Sequence, residues 1–179
     1  MTTTTFSPSF TQLKMSETDI SRLRKDFELL LSEVDLSRPE KVERIITDYK
    51  QVPGIYFWVM RYGNEGDLFP IYVGKTNSLS YRVQNYVSEF QPHSPNDFKL
   101  RVFHAFLSDE MPTAVLDLRF SRQPVDQLAQ SEKEAIDSYA PLLNRKRQAS
   151  ASTRLALQNA FAQYYRSAFE GLLLKMPPN

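Results

Sequence analysis

The sequence predicts an α+β fold, a small mixed core with helices added on both sides. Three observations carry this. Apolar residues recur at helical spacing before residue 50 and again after residue 152. Between these ends, "GIYFWVMRY" and "LFPIYVG" are β-branched and aromatic runs joined by the turn-forming "GNEGD", which is a hairpin signature. After the hairpin the pattern changes to helix, helix, strand, helix, giving the order β–β–α–α–β–α for the core.

Each element has its own signal. Residues 1–15 read as a flexible leader. A helix is expected from Ser16, which fits a capping box with Asp19, and Ile20, Leu23, Phe27, Leu30, Leu31 and Val34 fall on one helical face. "LSRPEKVERIITDY" reads as a second helix, with Ser37 as cap, Pro39 in the first turn and Val42, Ile45, Ile46 and Tyr49 on one side. In the hairpin, Pro70 has no N–H to give a ladder, so it belongs at an edge or a bulge. "SLSYRVQNYVSEF" reads as a helix, broken by "QPHSPN". "DFKLRVFHAFL" reads as another, capped by Asn96, "TAVLDLRF" as a third strand, and "VDQLAQSEKEAIDSYA" as a helix running to Pro141. A polar connection, "ASASTR", leads to a last helix carrying Leu157, Phe161, Tyr164, Tyr165, Phe169 and Leu172 at helical spacing.

Composition narrows the chemistry. The 179 residues suit one domain with extensions, and 41% hydrophobic residues suffice for a packed core. There is no cysteine, which excludes disulfides and thiolate metal sites. Two histidines, His93 and His104, are too few for a histidine-rich zinc site and read as bystanders. Any metal is therefore expected to be a hard ion held by carboxylate. No apolar run reaches membrane-spanning length and "MTTTTFSPSF" lacks a signal-peptide pattern, so the expected location is cytoplasmic, with no membrane partner. A net charge of +1 argues weakly against a general nucleic-acid coat and leaves room for a local basic groove.

Five blocks then stand out in order: Pro53-Gly54-Ile55-Tyr56; Tyr72-Val73-Gly74-Lys75; Arg82 with Tyr86; Glu132; and Pro141-Leu142-Leu143-Asn144. Together they resemble the ordered motifs of the GIY-YIG endonucleases. "YVGKTNSLSYRVQNY" is similar to the nuclease domain of the bacterial nucleotide-excision-repair incision subunit, and "EKEAIDSYAPLLN" resembles the family's closing helix. The second motif departs from the family pattern by carrying Val73 where isoleucine is usual, and the gap between the two tyrosine motifs is long. The resemblance covers residues 52–147. It divides the chain into the leader, an N-terminal helical extension (16–51), that nuclease core, and a linker with the C-terminal helix (148–179).

The resemblance implies a three-stranded antiparallel sheet flanked by helices, and a metal-dependent endonuclease (a hydrolase) cutting phosphodiester bonds, most readily in DNA. The implied catalytic residues are Tyr56, Tyr72, Arg82, Tyr86 and Asn144. Glu132 is the implied ligand for Mg²⁺ or Mn²⁺, with water completing the shell. Gly74, Lys75, Arg145, Lys146 and Arg147 are the expected substrate contacts.

Physical chemistry fits these roles. Phosphodiester hydrolysis needs a deprotonated nucleophile, neutralised charge and a stabilised leaving oxygen. Arg82 offers a planar fork to phosphate, and Tyr86, four residues on, shares its helix face. Tyr56 and Tyr72, on paired strands, can point to one side. A phenol with a free pKa of about 10 is a poor base unless a cation such as Lys75 or a metal stands by. Tyr56 is read as the base, with Tyr72 supporting the water. Gly74 leaves room for close approach of the substrate backbone.

Other readings stand beside these. "NRKRQASASTR" is either a phosphate-contacting strip or a solvated linker. The flanking helices either pack on the core or form a homodimer or partner interface. A stand-alone bacterial or phage nuclease in defence, restriction, mobile-element or repair roles is the favoured biology. The alternatives are an inactive nucleic-acid-binding module, or an interaction scaffold, keeping the fold.

Overall fold

The structure, a computed structural model, describes residues 13–36, 38–62, 66–87 and 95–144. The leader up to residue 12, Ser37, His93, the basic strip at 145–147 and the C-terminal helix lie outside the described residues, as does the tip of the hairpin at 63–65.

The elements run α1 (Glu17–Asp26), β1 (Glu28–Leu31), a 3₁₀ turn (Pro39–Val42), α2 (Glu43–Asp48), β2 (Gly54–Tyr62), β3 (Asp67–Thr76), α3 (Leu79–Val87), α4 (Pro95–Glu110), β4 (Val115–Arg122), a second 3₁₀ turn (Val125–Gln127) and α5 (Leu128–Tyr139). The sheet is antiparallel throughout with the order β1-β4-β2-β3. It has four strands where three were expected. The addition is β1, drawn from the second half of the predicted first helix.

The reason is local and then tertiary. Ser16 caps α1 as expected, its Oγ accepting from the Asp19 N–H at 3.1 Å. The apolar face continues into "FELLL", but Phe27 is already extended and residues 28–31 pair with β4 instead. Left alone, β4 would expose a row of unpaired backbone groups at the sheet edge; β1 satisfies them. A second correction concerns Asn96. Helix α4 begins at Pro95, so Asn96 lies inside its first turn and is not the cap. The second predicted helix also divides into a 3₁₀ turn, with Pro39 at its start, and the short α2.

The hairpin strands follow the reading closely. β2 occupies residues 54–62 and is buried along most of its length because both faces of the sheet are covered. One face carries Tyr56, Trp58, Tyr72, Tyr86, Phe103 and Phe120 in a core shared with α2, α3 and α4. The other carries Ile55, Phe57, Val59 and Val73 against Leu23 and Phe27 from the α1 segment and Ala135 and Tyr139 from α5. Each large apolar side chain fully buried here contributes roughly 1.5–3 kcal/mol. At the far end of the sheet, Asp117 is buried and accepts from Arg61 Nε (3.2 Å), Ser32 Oγ (3.0 Å) and the Glu33 N–H (3.0 Å), so the charge is fully accompanied.

β3 is an outer strand with a bulge. Trp58 pairs with Tyr72 and Val59 with Pro70, so one extra residue is accommodated at Ile71. This is where Pro70 was expected, and the bulge sets Tyr72 on the same face as Tyr56. The outer edge of β3 is covered by the chain after α5, the Leu142 and Leu143 N–H groups donating to Pro70 O (2.9 Å) and Ile71 O (2.8 Å). Among the described residues no helix is long and apolar enough to cross a membrane.

Candidate active site

The site forms where β2 begins and β3 ends. Tyr56 and Gly74 are direct cross-strand partners. Gly74 has no side chain, and the Tyr56 phenol lies across the vacant position: a Cβ there would collide with the phenol oxygen and ring. Glycine is required because the phenol occupies that space, an alternative to the expected clearance for substrate.

Helix α3 then closes over the phenols. Its start is fixed by a turn in which Thr76 Oγ1 accepts from the Ser78 N–H (3.1 Å) and donates to Ser78 O (2.9 Å). Ser78 Oγ in turn accepts from the Tyr81 N–H (3.4 Å), in the manner of a helix cap, and from the Gln51 N–H (3.3 Å). Sequence reasoning missed Ser78 as a positioning residue, although a serine directly before an apolar helical run is the usual signal. The helix so placed buries Leu79, Val83 and Tyr86 and brings Arg82 over the site. Arg82 Nε donates to Tyr56 Oη at 3.0 Å, its guanidinium carbon lies 5.2 Å from the centre of the Tyr86 ring, and Tyr56 and Tyr86 share a hydroxyl–hydroxyl bond of 3.2 Å. Tyr72 completes the cluster, its ring centre 6.1 Å from that of Tyr56.

The three phenols are not equivalent. Tyr56 and Tyr86 are 2% and 1% exposed; Tyr72, at 9%, is nearer solvent. Burial is the largest influence on each and pushes all three well above the ordinary phenol pKa, with the neighbouring Arg82 pulling the other way. The Glu132 carboxylate adds a further upward push on Tyr72. Tyr56, read from sequence as the base, is thus enclosed by Arg82 and Tyr86, while Tyr72 is the phenol that feels the carboxylate.

Glu132 comes from α5. Its Oε1 accepts from the Lys75 N–H (3.2 Å) and its Oε2 from Lys75 Nζ (2.6 Å). Its side chain is 23% exposed and that of Lys75 45%. Glu134, two residues on, turns elsewhere and accepts from Gln130 Nε2 at 2.7 Å. Among the described residues no three metal-ligating side chains cluster, so a cation here would take one carboxylate and fill its shell with water and phosphate oxygens. That is a habit of Mg²⁺, and the hard oxygen donor of Glu132 fits it.

Asn144 lies along the outer edge of β3, where its recorded hydrogen bonds go to the strand backbone. It bonds twice to Val73, Oδ1 accepting from the N–H (2.8 Å) and Nδ2 donating to the carbonyl (2.9 Å). It thereby fixes the segment between Tyr72 and Gly74. His104 sits at the opposite end of the sheet, accepting from the Leu36 N–H at 3.4 Å and standing 3.6 Å from Asp35, away from this cluster. The structure therefore brings Tyr56, Tyr72, Arg82 and Tyr86 together, sets the Lys75–Glu132 pair beside them, and gives Gly74 and Asn144 supporting places.

No family model matches the chain. A segment of 59 residues is 37% identical to UvrABC system protein C of Synechocystis sp.; it spans 33% of this chain and 9% of that protein's length. Among solved structures, the GIY-YIG N-terminal endonuclease domain of UvrC from Thermotoga maritima, bound to magnesium, is 24% identical with a TM-score of 0.35, covering 59% of this chain and 98% of that one. A point mutant of the same domain, bound to its catalytic divalent cation, matches at 22% identity with the same TM-score, covering 60% and 98%. The likeness to UvrABC system protein C is thus confined to a third of this chain and a small part of that protein.

Proposed function

We propose that the chain is a metal-dependent endonuclease of the GIY-YIG type that hydrolyses phosphodiester bonds in nucleic acid, with DNA as the substrate. The observation carrying this reading is the convergence at one end of the hairpin of a phenol cluster, a guanidinium bonded to it and a carboxylate beside it. Chemistry at a phosphate uses these groups: an acceptor for the water's proton, a fork for phosphate oxygens and a seat for a hard cation.

In this mechanism Arg82, anchored through Nε on Tyr56 Oη at 3.0 Å, presents its guanidinium to the phosphate. Tyr56 and Tyr86, both buried, hold the guanidinium and keep its surroundings dry. Tyr72 is assigned the water side of the site, because it is the most exposed of the three phenols and the one that senses Glu132. The proton-accepting role read for Tyr56 thus passes to Tyr72. Bound at Glu132, a dication would neutralise phosphate charge and acidify water. Neutralising Glu132 would also remove its upward push on Tyr72, so that the phenol gives up its own proton more readily and can accept the water's proton as phenolate. Lys75 turns toward phosphate, and Asn144 keeps the strand in register by its paired bonds to Val73. The basic strip Arg145, Lys146 and Arg147 follows Asn144 directly and is proposed to track the backbone of the substrate.

The test is cleavage of plasmid, linear duplex, single-stranded and branched DNA and RNA in Mg²⁺ or Mn²⁺, with Arg82→Ala alongside. The reading requires cutting by the native chain, its loss in the variant, and equal unfolding midpoints. Undiminished cutting by Arg82→Ala would overturn it.

A further inference from the structure

The Lys75–Glu132 pair uses both carboxylate oxygens. The backbone N–H of Lys75 holds Oε1 at 3.2 Å and the side-chain ammonium holds Oε2 at 2.6 Å. These two contacts differ in kind. The first is built into the end of β3 and orients the carboxylate whatever side chain residue 75 carries. The second is a mobile cation on a flexible stem, nearly half exposed. A hard cation held by the same carboxylate would have to compete with this ammonium, because like charges repel at such short range.

We propose that Lys75 is a placeholder cation: its ammonium occupies the metal seat of Glu132 until a dication displaces it, and so sets the affinity for the metal. This rests on the assignment of Glu132 as the metal ligand. Displacement has a second consequence. The ammonium that leaves Glu132 remains tethered at the rim of the site and becomes available to a substrate phosphate, so metal and nucleic acid favour each other's binding. The exchange needs no backbone movement, because the Lys75 N–H keeps its own bond to Oε1.

The ammonium thereby weakens metal binding and strengthens phosphate binding. Removing it should move the two affinities in opposite directions, which an ordinary surface ion pair would not do. The experiment is Mn²⁺ titration of the full chain without nucleic acid, followed by electron paramagnetic resonance or calorimetry, on the native chain, Lys75→Met and Glu132→Gln. Lys75→Met should bind Mn²⁺ about three- to tenfold more tightly, a range set by loss of a partly exposed pair together with relief of cation–cation repulsion. In Mn²⁺-saturated protein the same variant should bind DNA more weakly than the native chain, measured under single-stranded and duplex conditions before cutting begins.

Equal or weaker Mn²⁺ affinity in Lys75→Met, with binding lost in Glu132→Gln, would overturn the placeholder role alone and leave the metal seat in place. Undiminished Mn²⁺ binding in Glu132→Gln would remove the seat itself, and this inference with it.

Discussion

The side chain of Asn144 pairs with the backbone of Val73 on both sides, accepting at 2.8 Å and donating at 2.9 Å. One amide imitates the contacts of a neighbouring strand, and it does so between the candidate site residues Tyr72 and Gly74. Asn144→Ala would leave the Val73 N–H and carbonyl without these partners, an expected loss of about 1–3 kcal/mol in urea unfolding. Asn144→Asp keeps the acceptor and loses the donor, so its unfolding midpoint should fall between the two. An alanine variant as stable as the native chain would show that this edge is held by other contacts.

Gly74 and Tyr56 form a single packing unit. Gly74→Ala forces a methyl into the phenol and should destabilise the fold by about 2 kcal/mol or more. Tyr56→Ala removes the obstruction, so the double variant should be less damaged than the two losses added together, by a coupling of about 1 kcal/mol or more. Additive losses in a double-mutant cycle would show that Gly74 is needed for another reason.

The raised phenols give the fold an alkaline limit. Tyr56, Tyr72 and Tyr86 hold their protons more tightly when folded than in an unfolded chain, where phenols titrate near pH 10. Below that pH both states are protonated and the stabilisation is complete. Above it the unfolded chain releases protons that the folded chain retains, so stability falls as pH rises. The urea midpoint should be lower at pH 11 than at pH 9, and Tyr86→Phe should shrink that difference. A midpoint unchanged across this window would contradict the burial of the phenols.

Tyr72 and Tyr56 should fail differently. Tyr72→Phe removes the proposed acceptor on the water side and should lower kcat by about 10²-fold or more, the scale of general base catalysis. Tyr56→Phe loses the anchor of Arg82 and should act through phosphate binding, raising KM along with any fall in kcat. Full activity in Tyr72→Phe, with a large kcat loss confined to Tyr56→Phe, would return the acceptor role to Tyr56.

Much of this was legible in the sequence because the signals are local. "GIYFWVMRY" coincides with β2 since strand residues and turn residues alternate sharply there, and Pro70 announces the irregularity of β3 through its missing N–H. Ser16 and Asp19 mark the start of α1 in the same way. What escaped depended on distant partners. "FELLL" fits a helical face as well as a strand, and only the edge of β4 decides between them. Asp117 and its companion Arg61 are 56 residues apart, and Lys75 and Glu132 are 57 apart, so neither pairing has a spacing to read. The candidate site residues were named from the ordered motifs, and four of them, Tyr56, Tyr72, Arg82 and Tyr86, lie together in the structure. Their burial was not readable there, and burial is what separates the enclosed Tyr56 from the more accessible Tyr72.

The role proposed for Glu132, the carboxylate on α5, is to serve phosphodiester hydrolysis. The most direct measurement is nicking of supercoiled plasmid by the native chain and by Glu132→Gln, in Mg²⁺ and in EDTA, with both proteins verified as folded. The native chain should nick in Mg²⁺ and not in EDTA, and the variant should lose at least about a hundredfold. Equal nicking by the two proteins, or nicking by the native chain that EDTA does not suppress, would contradict it.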